Sequence, residues 1–124
     1  MTGLLAAILV CIAGGLGAAL RLVLDGFIRD RVRPSFPIGT TVINISGALL
    51  LGLLLGLSDL LLRPWLLVGG TGLLGGYTTF STASFETVRL LEDRRYVAAV
   101  VNGCGVLIAG TAAAALGVII GRAI

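Results

Sequence analysis

Apolar residues dominate this chain in four long runs that short polar segments separate. Uncharged stretches cover residues 2–20, with helix expected to continue to about residue 27, then 38–58, 64–85 and 96–121. Each run approaches or exceeds the roughly 20 apolar residues that an α-helix needs to cross a bilayer. Polar segments at 31–37, 59–64 and 92–95 predict the turns. The pattern therefore predicts an all-α membrane protein in which residues 1–124 form a single domain of four transmembrane helices.

Small residues recur at every fourth position in three of these runs. They are Gly3, Ala7, Cys11, Gly15 and Ala19 in the first run, Ala48, Gly52 and Gly56 in the second, and Gly105, Ala109, Ala113, Gly117 and Gly121 in the fourth. A spacing of four places them on one face of each helix, where small side chains let two backbones approach closely. The stripes predict tight helix packing and leave open whether the partner helix belongs to the same subunit.

The composition excludes several classes of protein. Of the 124 residues, 57% are hydrophobic and only 12% are charged, too few to cover the surface of a soluble domain. The net charge of +3 comes from arginines at the ends of apolar runs, a distribution that does not indicate nucleic-acid binding. The chain has no histidine, and no cluster of nucleophile, base or metal ligands indicates an enzyme.

The arginines also predict an orientation in the membrane. Those in or near the first and third turns are Arg21, Arg29, Arg31, Arg33, Arg89, Arg94 and Arg95, and only Arg63 and Arg122 lie at the opposite face. Because cytoplasmic loops carry an excess of positive charge, the first and third turns are expected in the cytoplasm and both termini outside. We expect a multi-pass protein of the cell (inner or plasma) membrane.

The third run contains the most informative segment, which reads GGYTTFSTASF over residues 75–85. Two glycines followed by two β-branched threonines form a poor continuous helix. The segment lies near the middle of the run, so we expect the third helix to break near mid-membrane. The carbonyl oxygens at the end of the first half-helix would suit a hard cation. The alternative is a helix that kinks at the two glycines and packs against its neighbours.

Two asparagines lie within the apolar runs, Asn44 in the second and Asn102 in the fourth. An amide group offers two N–H donors, which could bind an anion inside the membrane. The alternative is a hydrogen bond between helices. That alternative is equally good for Asn102 and weaker for Asn44, which has polar neighbours.

Hydroxyl groups follow the expected break and form a candidate path for an anion. Thr79, Thr82 and Glu86 share one helical face, and Ser81 lies beside it. Hydroxyls can donate hydrogen bonds to an anion without adding a competing charge. Phe80 borders the same path, and the positive edge of its ring could hold a small anion. Ordinary packing is the alternative for Phe80, and a place at the membrane interface is the alternative for Glu86.

These segments resemble the Fluc (CrcB) family of fluoride channels. The resemblance rests on GGYTTFST at residues 75–82, on GTTVIN at 39–44 with Gly47, and on Gly14 and Gly15 leading to Arg21. It implies an antiparallel dimer with two fluoride pores and a structural sodium ion at the centre of the interface. By that resemblance the backbone carbonyls of Gly75 and Thr78 would hold Na⁺. It also implies a fluoride pathway that is lined by Asn44, Phe80, Thr79, Ser81 and Thr82. The pore mouths would be formed by Arg21 and Glu86.

The sequence departs from the family pattern at one position of that motif. The family typically repeats phenylalanine three residues after the first, and here Ala83 takes that place. Either the pair of rings is incomplete or a partner subunit supplies the second ring. The arginines are also distributed unequally between the two membrane faces, whereas a chain that inserts in both orientations should have nearly balanced loops. A heterodimer with a related chain is therefore an alternative to the homodimer.

The expected function is passive export of cytoplasmic fluoride, which confers fluoride resistance. Fluoride crosses membranes as neutral HF and ionises inside, so a selective pore suffices for its exit. One alternative is a small four-span exporter coupled to protons, with Glu86 as the titratable group. Another is a non-conducting structural subunit of a heteromeric channel. The expected partners are fluoride, the lipid bilayer and a second subunit, with no nucleic acid.

Overall fold

A computed structural model describes residues 2–32 and 36–124 of the chain. The described residues form the helices α1 (Gly3–Arg31), α2 (Ile38–Gly56), α3 (63–77), α4 (Phe80–Glu92) and α5 (Tyr96–Ala123). No β-strand occurs in residues 2–32 or 36–124, so the all-α prediction is confirmed for them.

Three of these helices, α1, α2 and α5, are long and apolar enough to cross a bilayer by length and composition. They correspond to the first, second and fourth predicted runs. Two bounds differ from the prediction, because α1 continues to Arg31 and α2 already ends at Gly56. The third predicted run, 64–85, is divided between α3 and α4. Residues 33–35, which include one arginine of the predicted first turn, lie outside the described residues.

Two helices contain π-helical turns, over Leu67–Leu74 in α3 and over Val101–Gly105 in α5. Both stretches contain glycines, which favour the regular α-helix less than other residues do. A π turn adds one residue to the helical repeat and so rotates the residues that follow. In α5 this turn contains Asn102, which is buried.

The turn between α4 and α5 falls where the charged segment predicted it. Arg94 adopts a left-handed conformation with φ 57°. Its backbone N–H donates to Leu91 O at 3.0 Å, and the N–H of Arg95 donates to Leu90 O at 2.9 Å. These two bonds satisfy carbonyl groups that the end of α4 would otherwise leave without a partner.

Backbones of α2 and α5 are in direct contact through their glycines. A Cβ atom on Gly52 would lie 3.0 Å from Ala114 Cα, and one on Gly117 would lie 2.7 Å from Leu53 N. Both distances are too short for a side chain larger than hydrogen. The small-residue stripes of the second and fourth runs therefore pack against each other within one chain.

The helix α1 packs on α3 through a different face from the predicted stripe. A Cβ on Gly17 would lie 2.9 Å from Tyr77 N, and one on Gly76 would lie 2.8 Å from the carbonyl carbon of Gly14. In contrast, beyond the backbone of its own helix, the Cβ position of Gly15 in the stripe has no atom of the described residues within 4 Å. Every member of the first stripe is exposed on the chain.

Apolar side chains cover the outside of this helical bundle. Ile43, Leu74 and Tyr77 form a buried cluster where α2 meets α3. Large side chains such as Leu22 and Ile108, each 70% exposed, point outward from α1 and α5. An apolar surface of this extent is unfavourable in water and suits a lipid environment. The chain is a membrane protein.

Candidate functional site

The helix that begins at Arg63 ends at Tyr77, and the chain is extended over the next two residues. Thr78 has φ −78° and ψ 161°, and Thr79 has φ −148° and ψ 122°. The side-chain hydroxyl and the backbone N–H of Thr78 both donate to Leu74 O, each at 3.0 Å. The helix thus ends with a threonine that bonds to its last turn, and α4 starts at Phe80.

This interruption does not fall at the glycine pair. Gly75 and Gly76 are α-helical, and the helix ends only after Tyr77. Gly76 instead allows the close approach of α3 to Gly14 on α1. The glycine pair therefore serves packing, and the two threonines after it leave the helix.

Asn44 of α2 spans the interruption with its amide group. Its Nδ2 donates to Thr79 O at 2.9 Å, and the N–H of Thr79 donates to its Oδ1 at 2.8 Å. One side chain thus satisfies both backbone groups of an extended residue inside an apolar bundle, where an unpaired group would be costly. In a continuous helix the N–H of Thr79 would bond to the carbonyl of Gly75. Asn44 takes that N–H and leaves the Gly75 carbonyl without this partner.

The hydroxyl groups after the interruption form one cluster around Thr79. Thr79 Oγ1 accepts from the N–H of Thr82 at 3.2 Å, and so caps the first turn of α4. The same atom donates to Thr82 Oγ1 at 3.1 Å and lies 3.4 Å from Ser81 Oγ. The structure thus brings three predicted residues together. Because Thr82 N bonds to this side chain, the Thr78 carbonyl also loses its helical partner.

Tyr77 fixes the end of α3 against α1 and α2. Its hydroxyl lies 2.9 Å from Ser46 Oγ, and its ring packs where a Cβ on Gly47 would come within 3.2 Å of Cδ1. Gly17 of α1 approaches its backbone from the other side. Tyr77 and Ser46 were not predicted as site residues. The available signal in the sequence was the polar hydroxyl of a tyrosine in the middle of an apolar run.

Phe80 follows the interruption and points away from the bundle. Its side chain is 88% exposed on the described chain, more than that of Phe85, at 66%. No described residue of the single chain therefore covers this ring.

Asn102 joins α5 to α4. Its Nδ2 donates to Thr87 Oγ1 at 2.8 Å and to Ala83 O at 3.2 Å. Thr87 Oγ1 donates to the same carbonyl at 2.8 Å. Asn102 therefore makes the hydrogen bond between helices that was one of its two interpretations.

Glu86 lies at the edge of a cavity of about 390 Å³ between the ends of α1, α2 and α4. Its Oε1 accepts from Thr40 Oγ1 at 3.0 Å and lies 3.8 Å from Arg29 Nη2. Arg29 Nε also pairs with Asp25 Oδ2 at 3.0 Å. Arg21, predicted at a pore mouth with Glu86, is not among the described residues that line this cavity, and its buried Nε has no hydrogen-bond partner within them.

The sequence of this chain is similar to those of known proteins. The profile of the family described as CrcB-like protein, Camphor Resistance (CrcB), matches residues 8–118. The chain belongs to the CrcB family. It is 53% identical over 114 residues to the fluoride-specific ion channel FluC 1 of Leifsonia xyli, covering 90% of this chain and 83% of that protein.

Two further relatives of this CrcB-family chain carry the same description. It is 46% identical over 108 residues to FluC 2 of Mycobacterium tuberculosis H37Rv, covering 87% of this chain and 84% of the relative. It is 45% identical over 119 residues to FluC 2 of Cutibacterium acnes, covering 90% and 94% of the two chains. Both relatives are named fluoride-specific ion channels. The resemblance drawn from residues 39–47 and 75–82 is confirmed.

The charged residues around Glu86 are the part of this CrcB chain that its sequence did not reveal. Asp25 and Arg29 come from α1 and Thr40 from α2, and their contacts with Glu86 depend on how these helices pack. The spacing of Asp25 and Arg29, four residues apart on one helix, was the available signal for the first ion pair. No sequence signal connects that pair with Glu86.

Proposed function

We propose that this chain is a fluoride-selective passive channel that lets cytoplasmic fluoride leave the cell. The supporting observation is the identity of 45–53% to proteins named fluoride-specific ion channels, over 87–90% of this chain. An ion channel needs a path through the bilayer and no catalytic group. Localisation in the cell (inner or plasma) membrane with several crossings goes with this proposal.

In this proposal α3 and α4 together make the third of four crossings, interrupted near mid-membrane at Thr78 and Thr79. The interruption exposes backbone groups that hydrocarbon cannot satisfy. Asn44 and the hydroxyl of Thr79 supply partners for two of the N–H groups concerned. Such irregular backbone occurs at membrane depth where it is buried in protein or borders a polar path.

The proposed fluoride pathway runs beside this interruption. Thr79 supplies a hydroxyl group, and the hydroxyls of Ser81 and Thr82 lie 3.4 and 3.1 Å from it. Asn44 uses one of its two amide N–H groups for Thr79 O, which leaves a second donor for an anion. Phe80 projects its ring beside these groups, and the positive ring edge can approach fluoride without the tight hold of a basic side chain.

The proposed assembly is an antiparallel homodimer with two pores, and two exposed features of one chain support a partner there. The stripe of small residues on α1 is exposed on the described single chain, although such stripes pack helices closely. Phe80, beside the hydroxyl cluster, is uncovered as well. Ala83 provides no second ring on α4, so a second subunit is the remaining source of one.

The residues around the interruption fit a sodium ion held at the centre of that dimer. Hard cations prefer oxygen ligands. The carbonyls of Gly75 and Thr78 have both lost their helical N–H partners, to Asn44 and to the side chain of Thr79. Gly75 is exposed on the single chain, so a partner's carbonyls could meet the same ion. The ion would supply a positive charge that joins the two subunits.

The unequal distribution of arginines between the two membrane faces supports a heterodimer as a second candidate assembly. Of the described arginines, Arg63 and Arg122 alone lie at the face opposite the first and third turns. A chain with such unequal loops is biased toward one orientation. A related chain of opposite orientation would then complete the antiparallel pair, and this chain could be its non-conducting member. The mass of the purified complex, with only this chain expressed, separates a homodimer from a heterodimer.

Fluoride efflux from liposomes that contain the purified protein tests the proposed function. We expect fast fluoride efflux and no chloride efflux, and a severalfold slower fluoride efflux for Phe80→Ile. Phe85→Ile is the matched control, because it changes the same side chain on another face of α4. Equal rates for Phe80→Ile and the unaltered protein would show that the ring edge has no role.

The same liposomes distinguish the channel from an exporter coupled to protons. A passive channel carries fluoride when the pH is equal on both sides, whereas coupled exchange requires a proton gradient. Fluoride efflux that stops when the pH gradient is collapsed would overturn the channel proposal. For the sodium ion, the melting temperature of the dimer is measured in Na⁺ and in a bulky organic cation. We expect a lower melting temperature in the organic cation than in Na⁺, because a ligand that binds the folded state stabilises that state.

A further inference from the structure

The carboxylate of Glu86 is held by two helices at one oxygen atom. Thr40 of α2 donates to Glu86 Oε1 at 3.0 Å, and Arg29 of α1 places Nη2 at 3.8 Å from the same atom. The Glu86 side chain is only 16% exposed. A hydrogen-bond donor and a positive charge thus converge on one atom.

Arg29 is itself oriented by its neighbours. Its Nε pairs with Asp25 Oδ2 at 3.0 Å, one turn earlier on α1. Asp25 in turn lies against Gly39 of α2, where a Cβ atom would overlap its Oδ1. The residue before Thr40 must therefore be small for α1 to bring this ion pair up to Glu86.

Glu86 continues the polar face of α4 beyond the hydroxyl cluster. It lies four residues, about one turn, after Thr82 on the same face. An anion that moves along Thr79 and Thr82 therefore meets a carboxylate next. An uncompensated carboxylate in that place would repel the anion.

The charges that line the adjoining cavity balance one another. Among the described residues they are Asp25, Glu86 and Asp93 with negative charge, and Arg29, Arg89 and Arg95 with positive charge. Of these arginines, Arg29 forms an ion pair with Glu86 at 3.8 Å, and it shares its charge with Asp25 at 3.0 Å.

We propose that Arg29 and Thr40 are positioning residues that compensate and orient Glu86 at the mouth of the anion path. They hold its Oε1 toward α1 and α2, so that fluoride passes a carboxylate whose negative charge Arg29 partly offsets. Asp25 and Gly39 keep Arg29 in place for this task. The inference rests on the proposed function of the chain as a fluoride channel.

The test compares Arg29→Gln in two backgrounds, by fluoride efflux from liposomes at equal protein content. In the unaltered background we expect a loss on the order of fivefold, the effect of one unit charge about 4 Å from the anion in a watery mouth. In the Glu86→Gln background Arg29→Gln should change efflux less than about twofold, because its action passes through the carboxylate. Arg31→Gln is the matched control: it removes the same charge two residues away, from a guanidinium that lies 3.4 Å over the Phe27 ring.

Thr40→Val provides an independent second arm, since it removes the other partner of Oε1 without changing charge. It should slow efflux in the unaltered background and not in the Glu86→Gln background. The same loss from Arg29→Gln in both backgrounds would overturn the inference, because Arg29 would then attract fluoride directly or serve stability alone. An unaltered protein that passes no fluoride would overturn the proposed function instead, and the inference with it.

Discussion

Replacing Asn44 by alanine removes the side chain that spans the interruption between α3 and α4. Two hydrogen bonds are lost, from Asn44 Nδ2 to Thr79 O at 2.9 Å and from Thr79 N to Asn44 Oδ1 at 2.8 Å. At about 1 kcal/mol for each bond, the folded state loses about 2 kcal/mol. The freed N–H of Thr79 would compete for the carbonyl of Gly75 and favour a continuous helix. We therefore expect Asn44→Ala to lower both fluoride efflux and stability.

The assay measures fluoride efflux with an electrode and the thermal unfolding of the detergent-purified protein. Asn102→Ala is the matched control, since it also removes an amide that joins two helices, with donors to Thr87 Oγ1 at 2.8 Å and to Ala83 O at 3.2 Å. We expect Asn102→Ala to lower stability by a similar amount, about 1–2 kcal/mol, and to leave efflux per folded protein unchanged.

Two outcomes would refute the reasoning about Asn44. If Asn44→Ala kept the efflux and the unfolding temperature of the unaltered protein, the two hydrogen bonds would not maintain the interruption. If Asn44→Ala and Asn102→Ala slowed efflux equally, loss of helix packing in general would explain the result. Fluoride efflux that is severalfold slower for Asn44→Ala but not for Asn102→Ala supports a specific role of Asn44 at the interruption.

Two further predictions concern packing and the end of α3. Gly52→Val should destabilise the fold by about 3 kcal/mol or more, because its Cβ would overlap the backbone of α5. Gly26→Ala should leave the unfolding temperature unchanged or higher, because beyond its own helix backbone no described atom lies within 4 Å of the added Cβ. Equal unfolding temperatures for the two variants would contradict the contact. Tyr77→Phe should cost less than about 1 kcal/mol, because Ser46 Oγ keeps its bond to Ile43 O at 3.1 Å; a loss of twice that amount in thermal unfolding would show that the hydroxyl does more.

Much of the fold could be predicted from the sequence because membrane spans depend on length and apolar character. The three long helices α1, α2 and α5 coincide with apolar runs that were visible in the sequence. The hydroxyl cluster was also predictable, since Thr79, Ser81 and Thr82 are neighbours in the chain. The distances from Thr79 Oγ1 to the other two hydroxyls, 3.1 and 3.4 Å, follow from local geometry at the start of α4.

The place where the helix ends could not be predicted with the same accuracy. Two glycines followed by two β-branched threonines form a poor helix, so the sequence predicted a break in this segment without fixing the residue at which it occurs. In the structure Gly76 is held in the helix by its close approach to Gly14, and the extended residues are Thr78 and Thr79. Asn44, from a different helix, stabilises the extended backbone. A tertiary contact therefore decided which weak helix former left the helix.

The sequence by itself determined the class of protein, the apolar helices and the local cluster of hydroxyl groups. These properties depend on transfer of side chains to lipid and on contacts between chain neighbours. Only the tertiary structure decided which glycine stripe packs within the chain and which stays exposed. It alone decided that Arg29, Thr40 and Glu86, from three helices, meet at one carboxylate oxygen. The physical reason is that such contacts depend on the relative positions and rotations of packed helices, which no local pattern specifies.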